Sequence, residues 1–247
     1  MNWKLPEVIV FSYPGDKSSF LLESLPVLFG TLVGGVLTIA MTLLFRWQDR
    51  RRTYVERDYE LYLLLNQVIN DVHALGSRYF EALEKHGWPI EPWTVMKPTI
   101  GETMGHIDVP SPLLMTLRGP HAQGLVHRVV ELTNFRNIVV ESNRTYVDLH
   151  TSLMALAAPV ANVSRMRMQA ALDPQNPDHR PIIVKAEQTA DMAKQVLRLV
   201  LDFYAHAIET SKAYNAFRAK QQIRNLRSIV LDTSGIEAAY RFGMPVS

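Results

Sequence analysis

Twenty consecutive residues, Pro26 to Phe45 (PVLFGTLVGGVLTIAMTLLF), carry no ionisable side chain. As a helix rising 1.5 Å per residue, such a run reaches about 30 Å, the hydrocarbon thickness of a bilayer. Core helices of soluble domains seldom run this far without a charge, so the pattern predicts a transmembrane helix over residues 25–46. After it the apolar positions become periodic. Leu61, Leu65, Val68, Val72, Leu75, Tyr79 and Ala82 alternate steps of four and three, the seam of a coiled coil or helical bundle. This predicts that the helix leaving the membrane continues to about residue 86.

Prolines 89, 92, 98, 110 and 112 end that pattern, and residues 87–112 read as a long loop. A second seam, Leu132, Phe135, Val139, Ser142, Tyr146, Leu149, Leu153 and Leu156, predicts a helix from about His121 to Ala158, with a short helical piece reaching Leu172. The segment 173–181 (DPQNPDHRP) is a turn by composition. A third seam, Ala186, Ala190, Ala193, Leu197, Val200, Tyr204, Ala207, Ser211 and Tyr214, predicts a helix over 182–231. Only Glu7–Phe11 and Pro181–Val184 resemble strands. The expected fold is all-α: a single N-terminal transmembrane helix continuing into an elongated antiparallel three-helix bundle. Its parts are a short extracytoplasmic segment (1–24), the span (25–46), a cytoplasmic helical domain (47–231) and a C-terminal tail (232–247). In this order of helices the first leaves the membrane, the second returns, and the third leaves again. The third, being longest, would project beyond its partners unless it broke near Ser211.

Charge adds a direction. Lys4 and Lys17 precede the span beside Glu7, Asp16 and Glu23, whereas Arg46, Arg50, Arg51, Arg52 and Arg57 follow it, with Trp47 placed for the interfacial belt. The positive-inside rule puts the N-terminus outside and residues 46–247 in the cytoplasm, as in a bacterial inner-membrane protein. Over the whole chain the net charge is only +2, too balanced for bulk attraction to nucleic acid. With no cysteine, disulfides, zinc-thiolate sites and cysteine nucleophiles are excluded.

Candidate contact residues fall in three places. Gly30, Gly34, Thr38 and Thr42 recur every fourth residue and share one face of the span, where small side chains permit close approach of a second helix. The proline-rich loop carries Trp88 and Trp93, which either meet a partner or seal the end of the domain. Between Thr210 and Leu231 there is no acidic residue. Lys220, Arg224 and Arg227 interleave there with Phe217 and other apolar positions, giving a partner-binding face or a solvated helix end. The expected position of this helix end, far from the bilayer, argues against lipid.

Signatures of catalysis are missing: the chain has no phosphate loop, no GxSxG, no HExxH and no ExxH. Glu102, His106 and Asp108 lack a fourth metal ligand, and Asp202 and His206 are spaced as an ordinary surface pair. The sequence therefore points to a non-catalytic, cofactor-free membrane-anchored assembly protein. Its expected partners are the lipid bilayer, other copies of itself and proteins of a membrane complex. A signalling or membrane-perturbing effector subunit and a membrane-tethered enzyme with a scattered site are the alternatives.

Overall fold

The seam read on the first long helix is the side that folds against the rest of the chain. A computed structural model describes residues 17–86, 91–98, 104–119, 122–160, 162–164, 167–169, 172–220 and 229–230. Helix α1 runs from Lys17 to His86. The chain divides into two compact units, Met1–Tyr54 and Val55–Ser247. In the first, α1 supplies the one helix among the described residues that is long and apolar enough to cross a membrane. From Phe29 to Phe45 its large apolar side chains, Leu32, Val36, Leu37 and Ile39 among them, are exposed.

The second unit contains the rest of α1, a single 3-10 turn (Pro92–Thr94), the short α2 (Ser111–Leu114), α3 (Ala122–Ala157) and α4 (Arg180–Lys220). One buried cluster unites the three seams: Leu61, Leu65, Val68, Val72, Leu75 and Tyr79 of α1, Leu132, Val139 and Tyr146 of α3, and Ala193, Leu197, Val200, Tyr204, Ala207 and Tyr214 of α4. Each fully buried Leu or Val of this kind contributes about 1.5–3 kcal/mol. The seams fade at their ends, where Ala82, Ala186 and Ala190 are half-buried and Leu156 is exposed.

The direction of α3 differs from the expectation. Asp71 meets Arg136, and eight residues further along α1, Tyr79 meets Asn143. The numbers rise together, so α1 and α3 are parallel. Against α4 they fall: Asp58 meets Tyr214 and His73 meets Tyr204, while α3 meets α4 through Arg128–Glu209 and Phe135–Phe203. Helix α4 is thus antiparallel to both. A tight turn cannot join parallel neighbours, because the chain must first travel back the length of the helix it has just left. The long proline-rich segment makes that journey. Met96 accepts a hydrogen bond from the Tyr146 hydroxyl late in α3, Met104 bonds to Arg144, and Gly105 and Ile107 to Arg136 and Asn137. The segment is a strap laid antiparallel along α3, and it ends at Gly119, whose φ of 106° suits glycine and turns the chain into α3.

Three local expectations also change. The piece after Pro159 is not helical: Asn162–Ser164 and Arg167–Gln169 pair as an antiparallel ladder, with Val163 opposite Met168. Pro181–Val184 is the first turn of α4, where a proline's missing N–H costs nothing. Before it, Asp173 and Asn176 accept hydrogen bonds from the backbone N–H groups of Gln175 and Asp178, which fixes the 173–179 turn. Finally, α4 continues unbroken past Ser211 to Lys220, yet Ile229 and Val230 are not helical. The side chain of Asn215 bonds to both the N–H and the C=O of Ile229, whereas fourteen further helical residues would separate them by about 21 Å. Ile229 is part of the core, so this end of α4 does not project as expected.

Candidate functional site

Of the expected contact faces, the one on the span is open. A Cβ at Gly30, Gly34 or Gly35 would meet nothing within 4 Å. The two threonines use their hydroxyls within the helix: Thr38 donates to the Gly34 carbonyl at 2.8 Å and Thr42 to that of Thr38 at 2.7 Å. What this face offers a neighbour is therefore shape rather than hydroxyl donors. Arg46, Trp47, Arg50, Arg51 and Arg52 are all exposed, with the Arg51 guanidinium 5.5 Å from the centre of the Trp47 ring.

The loop tryptophans separate. Trp88 lies outside the described residues. Trp93 is half-buried against the core, beside a Lys194–Glu91 ion pair of 3.1 Å that ties the 3-10 turn to α4. The described parts of the strap are tied down. Arg136, only 1% exposed, donates to the Asp71 carboxylate of α1 and to the Gly105 carbonyl, and so joins α1, α3 and strap through one side chain. Beside it Asn137 grips Ile107 like a neighbouring strand, accepting from its N–H at 3.1 Å and donating to its C=O at 2.8 Å.

The basic end of α4 lies elsewhere than expected. Arg224 and Arg227 are outside the described residues, Lys220 is exposed, and Phe217 is buried in the core. The last turns of α4 pack on the first turns of the second unit rather than at its far end. Asp58, fully buried, lies 3.2 Å from the guanidinium of Arg218, itself 5% exposed. Tyr214 donates to the Asp58 carboxylate at 3.0 Å, and the Arg218 guanidinium sits over the rings of Tyr62 and Tyr214 at 5.4 and 5.3 Å. Desolvation raises the Asp58 pKa, opposed by the Arg218 charge and the Tyr214 hydrogen bond. A buried pair of this kind is a poor source of net stability, but it fixes which residues face each other.

Among the described residues no three His, Cys, Asp or Glu side chains come together as a metal site. His106 pairs with Asp108 at 3.1 Å on the exposed strap, while Glu102 lies outside the described residues. His206 packs its ring edge against Phe135, and His150, its pKa lowered by burial, tilts against Tyr146. Tyr79 and Tyr146 bond to Asn143 and Met96, and burial pushes the Tyr79 phenol up to about 12 and that of Tyr146 higher still. These are structural hydrogen bonds between packed elements. Compared with known proteins, the chain matches no family model, no curated protein and no solved structure.

Proposed function

We propose that the chain is a non-catalytic assembly subunit anchored by a single transmembrane helix, with its N-terminus outside and the helical domain in the cytoplasm. The observation that carries the reading is a contrast. From Val55 onward the long helices bury their apolar seams in one core, whereas the apolar stretch of α1 from Phe29 to Phe45 is exposed throughout. Leaving that surface in water is unfavourable, and a bilayer is the solvent that suits it. The arginines after Phe45 favour the stated orientation. The domain is then a three-helix bundle in up–up–down order, whose partners are other copies of the chain or proteins of a membrane complex, with Gly30 and Gly34 admitting a neighbouring span.

The test is the native mass of the full chain extracted in mild detergent. Self-assembly gives a multiple of 28.1 kDa. Replacing both Gly30 and Gly34 by isoleucine lowers that multiple while leaving the domain folded, because neither position touches anything within the chain. A monomer before and after substitution overturns self-association. Loss of the chain from membranes under alkaline extraction would overturn the anchor.

A further inference from the structure

We infer that the end of the second unit formed by the first turns of its α1 segment, the start of α3 and the last turns of α4 docks on anionic lipid headgroups. The inference rests on the anchor reading above and names a second contact with the same membrane. Its basis is where α4 ends. The contacts of Tyr214 and Arg218 with Asp58 bring the acid-free part of α4 back to Val55–Tyr62, the part of the unit that follows the apolar stretch most closely in sequence.

This end combines cations with exposed apolar side chains, the mixture that suits a membrane surface. Arg57, Lys212 and Lys220 are exposed there. Of the carboxylates at this end, Asp58 is engaged by Arg218 and Glu209 by Arg128 at 3.0 Å, while Glu56 and Glu60 are exposed on α1. Among the exposed apolar residues are Tyr59 on α1, Met115 in the turn leading to α3, and Val230, which is 86% exposed. The Asn215 clasp fixes the backbone of Ile229, the residue before Val230, against α4. A soluble domain gains nothing by fixing a valine in water, whereas an apolar side chain among lysines can enter the headgroup boundary as the lysines meet phosphate.

The test uses the full chain in lipid nanodiscs. Because the chain has no cysteine, Ala216→Cys, on the exposed side of α4, places one fluorophore at the surface in question. Its quenching by headgroup-labelled lipid is compared in discs of phosphatidylcholine alone and in discs with about 30% phosphatidylglycerol. Docking predicts strong quenching only in the anionic discs, reversed at about 0.5 M salt. With Lys212→Glu and Lys220→Glu together, the docked-to-free ratio falls by about thirtyfold or more, while the far-ultraviolet circular dichroism and melting stay those of the parent. Quenching that ignores lipid charge and salt overturns the inference while leaving the anchor intact. A chain that fails to enter the discs overturns the anchor, and the inference with it.

Discussion

Gly76 is a place where helix propensity and packing make opposite predictions. A Cβ built there would lie 2.7 Å from Cγ1 of Val200 and 3.5 Å from the Tyr204 hydroxyl. Carbon–carbon contacts settle at about 3.5–4.0 Å, so Gly76→Ala requires about 1 Å of movement. Val200 is fully buried, and a β-branched side chain in a helix has essentially one rotamer, so the movement falls on the α1–α4 spacing itself. Overpacking of this kind costs about 1–3 kcal/mol, while removing a mid-helix glycine returns about 1 kcal/mol. The net expectation is destabilisation by up to about 2 kcal/mol, a fall of up to a few degrees in Tm for a domain of this size. Thermal and urea unfolding of the full chain in mild detergent, followed at 222 nm or by tryptophan fluorescence, would read it. Trimming the obstacle supplies the control: in a double-mutant cycle with Val200→Ala, the alanine at 76 should couple favourably by about 1 kcal/mol or more. A Gly76→Ala chain more stable than the parent by about 1 kcal/mol would mean that propensity acts alone, and would refute the close approach of these helices.

Arg218→Met should be costly, about 3–5 kcal/mol in urea unfolding, because it leaves the Asp58 carboxylate buried without its cation, whereas Asp58→Leu combined with Arg218→Met should recover most of the loss. Since the folded-state pKa of Asp58 lies above its ordinary value of 3.8, the native chain binds that proton more tightly than the unfolded one. Its share of stability is therefore full at low pH and lost as pH rises through the folded value, and the difference in stability between the parent and Asp58→Asn should trace that slope. On the strap, Asn137→Ala removes both bonds to Ile107 and should cost about 1–2 kcal/mol, with limited proteolysis accelerated near residues 104–109. Above pH 10 the unfolded chain ionises before Tyr79, whose pKa is about 12, so stability should fall steadily across that interval and Tyr79→Phe should flatten the fall.

The sequence made the helices readable but not their directions. Helix α3 ends within a residue or so of both expected limits because prolines and glycines flank a continuous seam. A heptad face looks the same from either end, however, so nothing in the spacing of Leu132, Val139 and Tyr146 says whether α3 runs with α1 or against it. The clue lay in the linker, since antiparallel neighbours need only a few residues and this connection uses more than thirty. The buried pair was hidden for a different reason. Counting back from Leu61 by three gives Asp58, and counting on from Tyr214 by four gives Arg218, so both occupy seam positions. A reading that follows apolar residues stops one position short of each. Arg136, four residues after Leu132, is a charge on an apolar face in the same way, and its partners on α1 and the strap could not be inferred from one helix. The Asn215–Ile229 clasp left no periodic trace at all.

The parallel placement of α1 and α3 bears on how the chain is made. The α1 seam finds its antiparallel partner only in α4, and 218 − 58 = 160 residues separate the two members of the buried pair. At about 5–20 residues per second, a ribosome takes about 10–30 s to cover that distance. For that interval the row from Leu61 to Tyr79 is out of the ribosome with only part of its covering in existence. Helices α3 and α4, joined by residues 158–179, can pair with each other as soon as both have emerged. The covering of the α1 seam is thus complete only once α4 has emerged, and until then nascent α1 is the segment that needs protection.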